Sequence, residues 1–527
     1  MPETPIAIRY TSTKTTAKMS VFSLSNAAAT VVVNGTTYNI AAWASVGTDG
    51  DSVTNGDSSA TQPVALYRAD IAIAGLGQNM KYPGTVTQGA NTINITVCTD
   101  FGDNDASVAV VTCYRCGFGT SKGIWGYIHA EYDAGRNIRA LLHVDDHGYT
   151  DGYAVVAAGG NQRWNGVDPR SATVKTTYGY VVGYAAFMGL LANETQMHDT
   201  DMIWCHHNLP SYVWTGDHEI TNNPERSGDV TTAWRDKALA AYKQTIGAVM
   251  PELNPAHAAA VNVVGPMELI GIDRAFTVMN NSAIYDISAQ VNSGGISAGQ
   301  RWLGVTQITD IKSALNTSSP FKVLMSGAQS YFVSDQAERL AIDAELVFAD
   351  LAHSGSQDPI DGLTLDASGA SEWNELVREP GGICDVANSY GAAFVAFHGD
   401  THYPMERYAY KPPEGNKALL SMMQFSMGSC NGWHQHGLHR TKQAPSGYKG
   451  VQIRWQTKDI TETQFSPGVA NTGIIADLTQ QHDGGWELSV DFVRSVGESA
   501  AGTVERTTKV YSGAVLQAPD GMRQAFL

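Results

Sequence analysis

Four short blocks carry residues that could do chemistry together. Gly216-Asp217-His218-Glu219 sets an acid, an imidazole and a second acid directly behind an apolar run, Tyr212-Val213-Trp214. Asp145-Asp146 follow another apolar run, with His147 and Tyr149 just beyond, and Gly399-Asp400-Thr401-His402 follow a third. Cys113 ends a fourth. Aspartate is a hard oxygen ligand, imidazole serves as ligand, acid or base, and a thiolate binds softer metals. Alone, Gly-Asp-His-Glu also suits a solvated turn. Gathered within a few ångströms, these acids and imidazoles would repel one another and raise carboxyl pKa values unless cations sat between them. Two cations ~3.5–4 Å apart, sharing one bridging aspartate, clamp the attacking and leaving oxygens of an in-line phosphoryl displacement.

The elements that must hold these residues are apolar strands. Val108–Thr112 leads to Cys113, Ile138–Val144 to Asp145-Asp146, Pro210–Trp214 to Gly216, Phe321–Met325 to Ser326-Gly327, and Ala392–Phe397 to His398-Gly399. Near-continuous apolar runs mark strands buried on both faces, and sites in layered α/β folds gather at the carboxyl ends of such strands. Helical periodicity separates them over 173–194, 230–250, 298–316 and 336–353. Residues 1–106 differ. Short β-branched runs (Val21–Leu24, Ala29–Val33, Ala65–Tyr67, Ile71–Ile73, Thr92–Val97) alternate with Asn-Gly and Asp-Gly turns, which predicts an all-β sandwich without a catalytic cluster. The second domain, 107–527, carries the chemistry and turns β-rich again near Val451–Trp455 and Trp486–Phe492.

Size and charge narrow the function. A chain of 527 residues with 43% hydrophobic content calls for two or three globular domains. The net charge of −17 argues against a stable nucleic-acid complex, which needs basic stripes, and poses a question for any enzyme acting on anions. Bound cations would answer it by inverting the local field. No apolar run reaches the ~18 residues of a membrane span. The N-terminus lacks a secretory pattern, so the protein is expected to be intracellular, released by lysis, or stripped of a leader. Six cysteines in so long a chain make no disulfide scaffold, and Cys113-x-x-Cys116 has no second pair to complete a zinc site.

In this order, Asp146, Gly216-Asp217-His218-Glu219 and Gly399-Asp400-x-His402 resemble the metallophosphoesterase series of motif blocks. More specifically they resemble the PhoD-like alkaline phosphatases and phosphodiesterases, whose blocks read Gly-Asp-Tyr-x-Tyr, Asp-Asp-His-Glu and Gly-Asp-x-His. The resemblance implies a four-layer α/β/β/α sandwich behind an N-terminal Ig-like β-sandwich. It implies hydrolysis of small phosphomonoesters or phosphodiesters by a metal-bound hydroxide or oxo nucleophile at an Fe3+ and Ca2+ centre. Cys113, Asp146, Tyr149 and His402 would hold iron, Asp146 bridging, while Asp217 and Asp400 would hold calcium. His218 would contact the substrate phosphate or protonate the leaving oxygen. By resemblance the place of action is periplasmic or extracellular. The chain departs from the pattern where Asp145 stands in place of the family glycine, where His147 replaces an aromatic, and where Thr215-Gly216 replace Trp-Asp. Asp145 could itself be the bridge.

Other histidine groups have plainer readings. Cys205-His206-His207 is expected to pack, His434-x-His436-x-x-His439 to sit in a loop at the mouth of the site, and His398 to face either site or core. The alternative to an enzyme is a non-catalytic binding or structural protein that keeps the fold.

Overall fold

The computed structural model describes residues 6–46, 65–114, 122–147, 154–157, 160–163, 181, 183–185, 187–190, 200–216, 218–220, 232–250, 261–272, 312–313, 318–326, 392–399, 404–411, 419–427, 451–456, 470–482, 484–496 and 502–512. Its N-terminal strands are β1 (Ile6–Ser12), β2 (Ala17–Ser23), β3 (Ala29–Val33), β4 (Thr36–Ile40), β5 (Ala44–Val46), β6 (Leu66–Ile73), β7 (Lys81–Gln88) and β8 (Asn91–Cys98). They form two antiparallel sheets, ordered β1-β2-β6-β5 and β4-β3-β7-β8. Alternate residues point inward: Ile6, Ile8, Met19 and Val21 from one sheet meet Val31, Val33, Val86 and Ile95 from the other in one apolar core. Asn34 and Gly35 both take positive φ (50° and 73°), the two-residue turn that matches strand twist between β3 and β4. The runs Ala65–Tyr67 and Ile71–Ile73 belong to one strand, β6, because Asp70 between them lies on its exposed face.

The remaining strands are β9 (Ala106–Val111), β10 (Ile138–Val144), β11 (Ala154–Ala157), β12 (Gly160–Arg163), β13 (Ser211–Trp214), β14 (Val261–Val264), β15 (Met267–Ile272), β16 (Phe321–Ser326), β17 (Ala393–His398), β18 (Met405–Lys411), β19 (Leu419–Ser426), β20 (Val451–Gln456), β21 (Ala470–Gln480), β22 (Trp486–Val496) and β23 (Gly502–Ser512). One mixed sheet runs β13-β10-β9-β21-β22-β23, a second runs β14-β15-β16-β17-β19-β18-β20, and β11 pairs with β12. In the first, β9, β10 and β13 are parallel, with His143 opposite Val111 and Val144 opposite Trp214, so their carboxyl ends finish level. In the second, Ser326, His398 and Ser426 stand in one row at the same end of β16, β17 and β19. The five apolar runs are all strands.

The sheets meet face to face. The rings of Phe425 on β19 and Phe492 on β22 lie 5.8 Å apart. Glu406 on β18, fully buried, accepts from Arg506 Nε at 2.9 Å and Thr508 Oγ1 at 2.7 Å on β23. On the outer face of the first sheet, the helix Lys122–Asp133 packs on β21 and β22, and the helix Thr200–Asn208 packs against that helix and against β1. Neither was evident from periodicity. Gly123 and Gly126 weaken the first, and Asp, His and Asn weaken the short second. The 230–250 stretch is the helix Thr232–Gln244 followed by a 3-10 turn, Ile246–Val249. Of 173–194 and 298–316 only parts are described, helical at 181, 183–185, 187 and 312–313, and 336–353 lies outside the described residues.

The N-terminal strands are bonded to the first sheet and its helices. Tyr10 Oη donates to the Asn208 carbonyl (3.1 Å), Tyr212 Oη to the Ser12 carbonyl (2.8 Å) and Arg68 Nη1 to the Gln244 carbonyl (2.9 Å). No helix among the described residues is long and apolar enough to cross a membrane.

Candidate metal centre

The site is built where β9, β10 and β13 stop. Backbone bonds lace these ends together. Asp145 N donates to the Trp214 carbonyl at 3.0 Å, Cys113 N to the Asp145 carbonyl at 3.4 Å, and Tyr114 N to the Asp146 carbonyl at 3.1 Å. Cys113, Asp145 and Asp146 all adopt positive φ (50°, 75° and 45°), a left-handed conformation that turns each chain sharply off its strand. The turn brings a thiol and two carboxylates together. One ligand atom from each lies within 4.8 Å of the others, and all three residues are buried. Asp145 Oδ2 stands 3.8 Å from Cys113 Sγ, which also lies 3.0 Å from Thr112 Oγ1.

Two glycines make room. A Cβ on Gly216 would fall 1.7 Å from Asp145 Oδ1 and 2.3 Å from Asp146 Oδ1. A Cβ on Gly399, at the end of β17, would fall 2.2 Å from Thr112 Oγ1 and 2.8 Å from Asp145 Oδ2. The second sheet therefore delivers its strand end onto the same carboxylate. Any side chain at either position would displace the cluster.

Glu219 holds this arrangement from below. Fully buried, it accepts the His147 amide on Oε1 at 2.8 Å and the Gly216 amide on Oε2 at 2.6 Å. It thereby ties the loop after β10 to the loop after β13. Sequence reasoning gave this residue no role, although reaching back to an amide three residues earlier is the bond that a capping-box glutamate makes. His218, half-buried, donates its backbone amide to Asp146 Oδ1 at 3.2 Å.

Of the residues expected to form the site, the structure brings together Cys113, Asp146 and His218. It adds Asp145. Tyr149, Asp217, Asp400 and His402 lie outside the described residues, as do Cys116 and His434, His436 and His439, although Gly216 and Gly399 place the chain at the cluster immediately before Asp217 and Asp400. His398 is buried at the end of β17.

His147 sets its Nδ1 3.5 Å from Glu219 Oε1 and its ring among aromatic neighbours. Its ring lies 4.0 Å from that of His143 and 6.4 Å from those of Phe187 and Tyr242, in the layer between sheet and helices. His206, on the helix Thr200–Asn208, stacks 6.4 Å from His143 and hydrogen-bonds Arg9, whose guanidinium sits 4.9 Å over Phe187. Burial, and then the charge of Arg9 and neighbouring imidazoles, holds His143 and His206 well below the usual histidine range. His207 is pushed down to about 3 by burial and then Arg9. His143, His206 and His207 form a buried packing layer, as expected for Cys205-His206-His207.

The chemistry of the rim fits a cation. Two carboxylates and a thiol buried side by side are costly to ionise without positive charge between them, and their mixture of hard oxygen and soft sulfur suits a transition metal.

No protein-family model and no curated protein sequence matches the chain. Its fold is two facing mixed sheets with a cation-competent rim at their strand ends. Among solved structures it is similar to that described as "Structure of PhoD", with a TM-score of 0.57, 15% identity, and coverage of 98% of this chain and 92% of that one. It is also similar to the purple acid phosphatase PPD1 isolated from yellow lupin (Lupinus luteus) seeds, with a TM-score of 0.55, 11% identity, and coverage of 96% and 73%.

Proposed function

We propose that this protein is a metal-dependent phosphoesterase of the PhoD-like type, hydrolysing small phosphomonoesters or phosphodiesters. One observation carries the reading: Cys113, Asp145 and Asp146 converge in a buried cluster where strand ends from two sheets meet. Thiolate and carboxylates would hold the metal, with Asp146 bridging to a second cation. Tyr149 and His402 would complete an iron site, and Asp217 and Asp400 would take calcium. The four-layer arrangement, and the division near residue 106 into sandwich and catalytic domain, belong to the same proposal.

When bound, such cations polarise a phosphoryl oxygen and activate a nucleophile. The chain's own groups do the rest. Glu219 fixes the two loops that carry the ligands, by accepting both their amides. Asp146 is oriented by the His218 amide, leaving the half-buried imidazole of His218 to meet the substrate phosphate or give a proton to the leaving oxygen. The bound cations also supply the positive field that a chain of net charge −17 needs to attract an anion.

The test is hydrolysis of a chromogenic monoester and a chromogenic diester by purified protein, before and after chelation and after metal is restored. Activity that chelation abolishes and metal restores is expected. A metal-free protein, inactive under every condition, would leave a non-catalytic protein that keeps the fold.

A further inference from the structure

We propose that Asp145 is a metal ligand in its own right, placed between Cys113 and Asp146, so that one strand end contributes two adjacent carboxylates. The inference rests on the metal-dependent reading above and goes beyond Asp145 as a substitute bridge: Asp145 and Asp146 would both ligate.

Three observations support it. First, Asp145 holds the centre of the cluster. Oδ2 faces Cys113 Sγ at 3.8 Å and the Gly399 backbone, while Oδ1 faces Gly216 beside Asp146 Oδ1. Cation ligands from the ends of β9 and β10 would meet around this carboxylate. Second, two structural bonds of the position run through its backbone, Asp145 N to Trp214 and the Asp145 carbonyl to Cys113, and need no side chain. A glycine would keep both bonds. Third, φ at Asp145 is 75°, where a residue with a Cβ costs about 1 kcal/mol and glycine costs almost nothing. The chain retains an acid where backbone geometry favours glycine, and buries it against a second acid and a thiol. That is unfavourable for stability and sensible for a cation. Fully ionised, the three side chains carry three negative charges, which one trivalent cation would neutralise.

The experiment uses the full-length protein stripped by chelator and titrated with Co2+. Co2+ serves as probe because a thiolate–cobalt charge-transfer band reports Cys113 coordination. Wild type, Asp145→Gly, Asp145→Asn and Cys113→Ser are compared for metal stoichiometry, Co2+ affinity, the band, and melting temperature with and without metal. Asp145→Gly is expected to melt no lower than wild type when metal-free, because it relieves the left-handed strain. It should nevertheless bind Co2+ at least 10-fold more weakly and shift the band. Asp145→Asn, which keeps size and removes charge, should weaken binding in the same direction and covers the case in which the glycine variant misfolds. Wild-type affinity and an unshifted band in the Asp145 variants, alongside loss of the band in Cys113→Ser, would overturn the assignment and leave the phosphoesterase reading intact. A wild-type protein that takes up no metal would instead overturn the reading on which the inference rests.

Discussion

Residues 143–147 supply two buried polar clusters that face opposite ways and obey opposite rules. At the rim, Asp145 and Asp146 join Cys113, a set of acceptors that becomes anionic and calls for a cation. On the helix side, His143 and His147 join His206 and the guanidinium of Arg9, among Trp125 and Phe187. There burial, and then the positive charge already supplied by Arg9, holds His143 and His206 well below the usual histidine range. A histidine one residue from a rim aspartate can thus be buried. What decides is the face its backbone presents, and the left-handed turn at Asp145 and Asp146 sets that face.

The largest effect should separate the two clusters outright. Asp146→Asn is expected to lower phosphodiester hydrolysis by more than the ~10–100-fold typical of a lost supporting partner, and to release metal. His143→Gln should leave metal content unchanged, as measured by elemental analysis. Glu219→Gln comes next, at ~10–100-fold in activity or metal affinity, because an amide NH2 group turned toward one of the two backbone N–H groups cannot accept its bond. The core side should answer to acid. Histidines whose folded pKa is lowered bind protons more readily when unfolded, so stability is complete above about 6.5 and falls as pH drops toward the folded value, about 3 for His207. Each such histidine removes up to ~1.4 kcal/mol per pH unit across that window, visible as a falling urea midpoint. His207→Gln should flatten the fall. The smallest effect lies far from both clusters: Gly35→Ala, at a φ of 73°, should cost ~1 kcal/mol by urea denaturation without touching metal content.

Much of this was legible in the sequence. The runs ending at Cys113, Asp145, Gly216, Ser326 and Gly399 are strands because continuous burial leaves an uninterrupted apolar signature, and their order along the chain gives the rim its ligands. Cys113 and the pair Asp145-Asp146 could be picked out by residue type and position, and only the family resemblance pointed to Asp146 within the pair. Glu219 could not be given its role, because its partners are backbone amides, which no residue letter records. The direction of His147 was hidden for a related reason: positive φ at two successive non-glycine residues breaks the alternation from which a strand's faces are read. Strand β7 escaped notice because Pro83 and Gly84 mimic a break.

One further consequence concerns the order in which the molecule can be built. β9 carries Cys113 at its tip, yet one of its two edges is paired by β21, with Ala109 opposite Ile475 and Val108 opposite Ala476. Those partners are separated by more than 350 residues of intervening chain. During synthesis, β9 and β10 emerge early and wait with an open, largely apolar edge until β21 leaves the ribosome. Such long-range pairing slows folding and exposes a template for intermolecular association in the interval. Cys113, Asp145 and Asp146 are therefore translated early and among the last parts to be secured. A chain cut short before residue 470 would be expected to aggregate rather than to persist as a smaller catalyst.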